Sequence, residues 1–143
     1  MPHEIKWIVE KRVIMTTFTG VVTIPELKEF IEDVQLMIQE GTPLVYHISN
    51  SLDMERVQFS LGALQLISRG TKLVGALGWQ IDINTNAVNK MFANFASQFA
   101  GIRTRTFPSL DLAIVFLRHS DPSLMDATWL VDESIMRDVG ANA

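Results

Sequence analysis

The sequence predicts an α/β fold: a mixed β-sheet that opens with an antiparallel hairpin, continues with parallel strands, and carries packed helices. Two short β-branched and aromatic runs, Ile5 to Val9 and Val13 to Phe18, are separated only by Glu10-Lys11-Arg12. Beyond them, apolar runs of strand length alternate with segments whose apolar residues recur at helical spacing. Strands alternating with helices favour parallel pairing through right-handed crossovers.

Each element has its own signal. The first two runs pair as a hairpin across a charged turn, and Gly20 ends or bulges the second. Thr23 followed three residues later by Glu26 is a capping box, with Pro25 in the first turn, where its missing N–H costs nothing. Leu27, Phe30, Ile31, Val34 and Ile38 then form an apolar stripe over about residues 24 to 40, opposite Lys28, Glu29, Glu32 and Asp33. Gly41 is the expected C-terminal cap. Pro43 to Ile48 reads as a strand covered on both faces, and Ser49-Asn50-Ser51-Leu52-Asp53 as the loop at its end.

Val57, Leu61, Leu64 and Ile67 suggest a second helix ending near Gly70, and Lys72 to Ile83 a further strand. Glycines inside that strand, Gly75 and Gly78, are expected to admit close helix packing. Asn84-Thr85-Asn86 supplies a loop and an N-cap for a helix carrying Val88, Met91, Phe92, Phe95, Ala96 and Phe99. Ile102 to Phe107 is the last strand, and Ser109 caps a helix carrying Leu110, Ala113, Ile114 and Leu117. The expected division is a domain over residues 1–120 and a C-terminal appendage over 121–143. Asp121-Pro122 starts a helical turn in that appendage, and Trp129 packs on its own chain or on a neighbouring copy.

Composition narrows the function. The chain has 143 residues, 48% hydrophobic and 20% charged, enough for one substantial core. A net charge of −4 argues against a phosphate-backbone binder, so no nucleic-acid partner is expected. The absence of cysteine removes disulfides, thiolate metal sites and cysteine nucleophiles. No signal-peptide pattern opens the chain and no apolar run reaches membrane-span length, which reads as a soluble, cytoplasmic protein with no membrane span.

Catalytic constellations are not found. His3, His47 and His119 lack metal-ligand spacing, and His47 beside Tyr46 reads as a packed strand residue. There is no nucleophile elbow and no phosphate-cradling glycine loop, so neither an enzyme nor a cofactor or metal is expected. Arg103 and Arg105 share one face of the last strand, either as guards of an exposed edge or as anion binders. In open α/β sheets, ligands and partners engage beyond the carboxyl ends of the strands. That rule selects Ser49, Asn50, Ser51, Asp53, Asn84 and Asn86 as candidate partner- or ligand-binding residues. Ser60 joins them because a phosphate at a helix start is favoured by the helix dipole, although a plain helix-start Ser has the same signature.

The segments FTGVVTIPEL, GTPLVYHISN and RTFPSLDLAIVFL together resemble the SpoIIAA-like family, which shares the STAS fold of the anti-sigma-factor antagonists and is similar to Sec14-type lipid-binding domains. Phe107 to Leu117 is the most specific piece, and the resemblance covers about residues 3 to 120. It implies a non-enzymatic regulatory module that binds a protein partner or itself, as a homodimer or other homo-oligomer. The alternative is a carrier of a small apolar or lipid ligand in a cavity between the sheet and the helix of Phe92, Phe95 and Phe99. In the antagonists a kinase phosphorylates a Ser in an Asp-Ser-Ser-Gly-type segment. The corresponding stretch here is Val57 to Gly62 with Ser60, where the Asp is replaced and the spacing differs.

Overall fold

The computed structural model describes residues 3–58, 76–85 and 103–142. The predicted helices over 61–70 and 88–99, and the strand start at Lys72, lie outside these residues. Strands β1 (His3–Val9) and β2 (Val13–Val22) pair antiparallel, and the turn between them closes with Arg12 N–H donating to the Val9 carbonyl at 3.0 Å. Helix α1 (Ile24–Glu40) follows, then β3 (Val45–Val57), β4 (Leu77–Ile83), β5 (Thr104–Phe107), α2 (Leu110–Ser120), a 3-10 turn (Pro122–Leu124) and α3 (Glu133–Asn142). The sheet order is β1-β2-β3-β4-β5, with every pair after the first parallel. This is the mixed sheet expected from the sequence.

Helix α1 begins where its capping box places it. Glu26 N–H donates to Thr23 Oγ1 at 3.4 Å, and Thr23 N–H donates to Glu26 Oε2 at 2.8 Å. Gly41 ends the helix, but its φ of −82° needs no glycine. Space is the reason for glycine here, since an added Cβ would lie 2.6 Å from Val45 Cγ2 and 2.9 Å from the Lys11 carbonyl oxygen. Ser109 occupies the N-cap position of α2 without a side-chain capping bond.

One sheet face packs on α1. There Ile14, Val45 and Ile38 form one buried cluster, and Phe18, Val22 and Leu27 another. The opposite face packs on α2 and on the segment that follows it. Ile48, Ile81 and Ile83 meet Ile114 and Leu117, and the same cluster takes in Leu124, Trp129 and Val139. Trp129 is thus buried on its own chain, its indole N–H donating to the Leu124 carbonyl at 3.2 Å. Leu130 N–H donates to the Ile8 carbonyl at 2.7 Å. A polar clasp holds the start of this segment. Asp121 Oδ2 takes bonds of 2.8 Å from both Arg12 Nη2 and the Tyr46 hydroxyl, while Ser123 Oγ donates to Asp121 Oδ1 at 2.6 Å. Burial and the bond to Asp121 push the Tyr46 phenol up to about 12.

Gly78 faces a neighbouring strand rather than a helix, because a Cβ there would run into the Tyr46 ring. Gly78→Ala is therefore expected to destabilise the fold by about 1–3 kcal/mol through overpacking. Urea denaturation of Gly78→Ala, Tyr46→Leu and the double variant checks this. Additive losses would show that the two residues do not compete for the same space.

The Ser49–Asp53 stretch departs from the expected loop. It is continuous strand, with Thr16 paired to Ser49, Thr17 to Asn50 and Thr19 to Asp53. Val57, expected in a helix, pairs with Val22 at the strand end. β3 carries one extra residue between the Thr17–Asn50 and Thr19–Asp53 pairs and another between Gly20–Met54 and Val21–Arg56. These bulges break the two-residue alternation by which a strand is recognised, and Gly20 beside them has a φ of +64°.

Candidate functional site

A half-buried strand normally shows a core face of apolar side chains. On the α1 side, the middle of this sheet does not. Parallel register aligns His47 on β3 with Gln80 on β4 and Thr104 on β5, then Ser49 with Asp82 and Thr106. Thr16 on β2 adjoins Ser49. Registered neighbours share a face, so these residues form two polar rows across four strands. Thr16, His47, Ser49 and Asp82 are all buried, His47 to 1% exposure.

The rows are joined through Gln80. His47 Nδ1 lies 2.7 Å from Gln80 Oε1, and His47 Nε2 lies 2.9 Å from Thr16 Oγ1. A carbonyl oxygen only accepts, so His47 is protonated at Nδ1 and accepts from the Thr16 hydroxyl at Nε2. Gln80 Nε2 donates to Ser49 Oγ at 3.1 Å, and the Gln80 side chain also bonds Asp82. Phe30 of α1 covers the imidazole, with ring centroids 5.6 Å apart.

This burial moves two groups in opposite senses. Desolvation lowers His47 to about 4, only partly opposed by its bond to Gln80, and so holds the ring neutral. It raises Asp82 to about 7, against the opposing effect of the Gln80 bond. A neutral imidazole and a carboxyl that titrates near neutrality thus share one amide. Just beyond β4, Asn84 is buried and held in the ladder by its N–H to the Phe107 carbonyl at 3.2 Å. Among the described residues, Asn84 Oδ1 and Thr104 Oγ1 have no hydrogen-bond partner.

The residues singled out in the sequence fall into three groups. Ser49, Ser51 and Asn84 are buried, and Ser49 belongs to the Gln80 network. Asn50 is half-buried and accepts from the Leu52 N–H at 3.2 Å, while Asp53 is exposed. Ser60 and Asn86 lie outside the described residues. His47 is the packed strand residue expected. Its network with Thr16, Gln80 and Asp82 was missed, although polar residues at every second position do mark it: His47-x-Ser49-x-Ser51, Gln80-x-Asp82-x-Asn84 and Thr104-x-Thr106. Among the described residues, no three His, Asp or Glu side chains gather as a metal site, and no helix is long and apolar enough to cross a membrane.

The second arrangement is at the sheet margin. Pairing of β3 with β4 ends at Asn50–Ile83, whereas β2 and β3 continue together to Val22–Val57. Among the described residues, the β4-side edge of β3 therefore has no strand partner over residues 51–57. This two-stranded ribbon exposes Leu52, Asp53, Glu55 and Arg56.

No family model and no curated protein matches this chain. Solved structures do, two of them as follows. A DUF3478-family protein with a SpoIIAA-like fold from Shewanella loihica PV-4 matches at a TM-score of 0.58 and 14% identity, over 80% of this chain and 91% of that one. The anti-sigma factor antagonist SpoIIAA in its unphosphorylated form matches at a TM-score of 0.57 and 15% identity, over 81% of this chain and 97% of that one. The protein has a SpoIIAA-like fold.

Proposed function

We propose that this protein is a non-enzymatic regulatory module of STAS type that docks a protein partner, or a second copy of itself, in the cytoplasm. The docking surface is the β2–β3 ribbon, with Asn50 and Asp53 on it, and Ser60 follows it in the sequence. Ser49, Ser51 and Asn84 belong to the same end of the sheet, and Asn86 follows Asn84 in the sequence. One observation carries this reading: a seven-residue strand edge without a partner among the described residues, bearing an exposed Leu52 between polar neighbours. An open edge is a ready template for another chain. The likeness to an anti-sigma factor antagonist supports a regulatory binding role over a catalytic one.

Native mass spectrometry of the protein purified from its own cells tests the proposal. The wild type is expected as a dimer or a stoichiometric complex, and Leu52→Asp with Asp53→Lys as a folded monomer. A wild-type monomer without partner, or a complex that survives the double substitution, would sink this reading.

A further inference from the structure

The sheet has another open margin among the described residues, apart from the β2–β3 ribbon. β5 is the last strand in the sheet order, so its outer edge is unpaired among the described residues. Gln80 N–H donates to the Arg103 carbonyl and Asn84 N–H to the Phe107 carbonyl, at 2.9 and 3.2 Å. In a parallel ladder, alternate residues face the same neighbour, so Arg103, Arg105 and Phe107 turn their backbone groups toward β4. Thr104 and Thr106 turn theirs outward, leaving two N–H and two carbonyl groups along the free edge.

The side chains beside that edge are pre-arranged. Arg103 and Arg105 are both exposed. The Arg103 guanidinium stacks 5.1 Å from the Trp79 ring centroid, and that of Arg105 lies 4.8 Å from Phe116 and 5.5 Å from Phe107. The rings brace one another, with centroids 5.1 Å apart for Trp79–Phe116 and 5.3 Å for Phe107–Phe116. Ion pairs among the described residues join Lys6 to Glu4 and Arg12 to Asp121, His3 lies 3.7 Å from Asp33, and neither Arg103 nor Arg105 takes part. Stacking on an aromatic face fixes a guanidinium while leaving its N–H fork free for a carboxylate.

We propose that β5 receives an extended acidic peptide segment of a partner protein as an added strand. The main chain of the segment would bond Thr104 and Thr106, and two of its carboxylates, at alternate positions, would meet Arg103 and Arg105. Period two is the reason for choosing a strand over a single small anion. The arginines stand one strand repeat apart, about 6.8 Å along the chain, on separate rings, and carboxylates at i and i+2 of an extended peptide have the same spacing. The net charge of −4 over the whole chain discourages general attraction of acids, so recognition is confined to this basic edge.

The test is an amide and arginine side-chain NMR titration of the full chain with a capped hexapeptide of alternating Glu and Val, beside its Gln counterpart. Saturable shifts are expected at Thr104, Thr106 and both arginine Nε–H groups. Affinity should fall roughly tenfold in Arg103→Gln/Arg105→Gln and be only partly restored in the double Lys variant, which keeps the charge but lacks the planar fork. Thr106→Pro removes an outward N–H at a position where an edge strand tolerates proline, and is expected to weaken the Glu peptide without changing the charge. Equal binding of the Gln peptide, full binding to Thr106→Pro, or matching shifts from free glutamate or phosphatidylserine vesicles would each overturn the proposal. Loss of the ribbon-dependent complex described above bears on the other surface only, so the two readings fail independently.

Discussion

Asp82→Asn is expected to raise stability at pH 8 by roughly 2–4 kcal/mol and to leave it almost unchanged at pH 4. The Asp82 carboxyl is raised from 3.8 to about 7 by burial. A raised pKa means that the folded state holds the proton more tightly than the unfolded chain does. Its contribution is therefore fully present below the unfolded value and is lost as pH rises through about 7. His47, lowered to about 4 by burial, acts in the opposite direction. The unfolded chain takes up its proton first, so stability is present above the ordinary histidine range and falls as pH drops toward 4. Between roughly pH 4 and 6.5 the two slopes oppose each other, and the wild-type profile should be flat there.

Each single substitution removes one slope and exposes the other. Asp82→Asn should yield a profile that rises with pH, and His47→Gln one that falls. Urea midpoints taken from pH 4 to pH 8 read this directly. An Asp82→Asn effect of constant size over that range would show that burial does not set the titration of the carboxyl.

Removing residues 123–143 is the second large effect, expected to cost 5 kcal/mol or more and to leave an aggregating or partly folded chain. Leu124 and Val139 are fully buried and Trp129 nearly so, all within the cluster of Ile8, Ile114 and Leu117. Burying such side chains is worth about 1.5–3 kcal/mol each, and the sum approaches the ~5–15 kcal/mol total stability of an ordinary domain. Ser123 leaves with them, and with it two bonds to Asp121, from its N–H and its hydroxyl; that carboxyl is held down at about 2 chiefly by the hydroxyl. Trp129→Ala is the graded version, at about 3–5 kcal/mol. Circular dichroism and urea denaturation of both chains check it. An unchanged midpoint after truncation would mean that the segment packs without stabilising.

Much of this fold could be read from the sequence where local chemistry and tertiary packing agree. The Thr23–Glu26 box opens a helix because each side chain satisfies the other's backbone, and nothing distant competes. The hairpin follows from two branched runs and a charged turn. Ser49 to Asp53, expected as a loop, are strand instead: polar residues and two bulges remove the alternation that identifies a strand, while pairing with β2 outweighs that local preference. The buried network was harder still. Gln80 lies 33 residues beyond His47 in the chain, and only the register of β3 and β4 brings them together with Asp82.

The polar clasp has a consequence for how the protein is made. Arg12 and Asp121 are 109 positions apart, and Arg12 and Ser123 are 111 apart. The hairpin that carries one half of the clasp is synthesised well before the segment that carries the other. The cluster around Ile8 is therefore incomplete until that segment has emerged, and the nascent chain must keep an unfinished apolar face in solution meanwhile. Such long-range closure slows folding and lengthens the period in which apolar surface is exposed to aggregation.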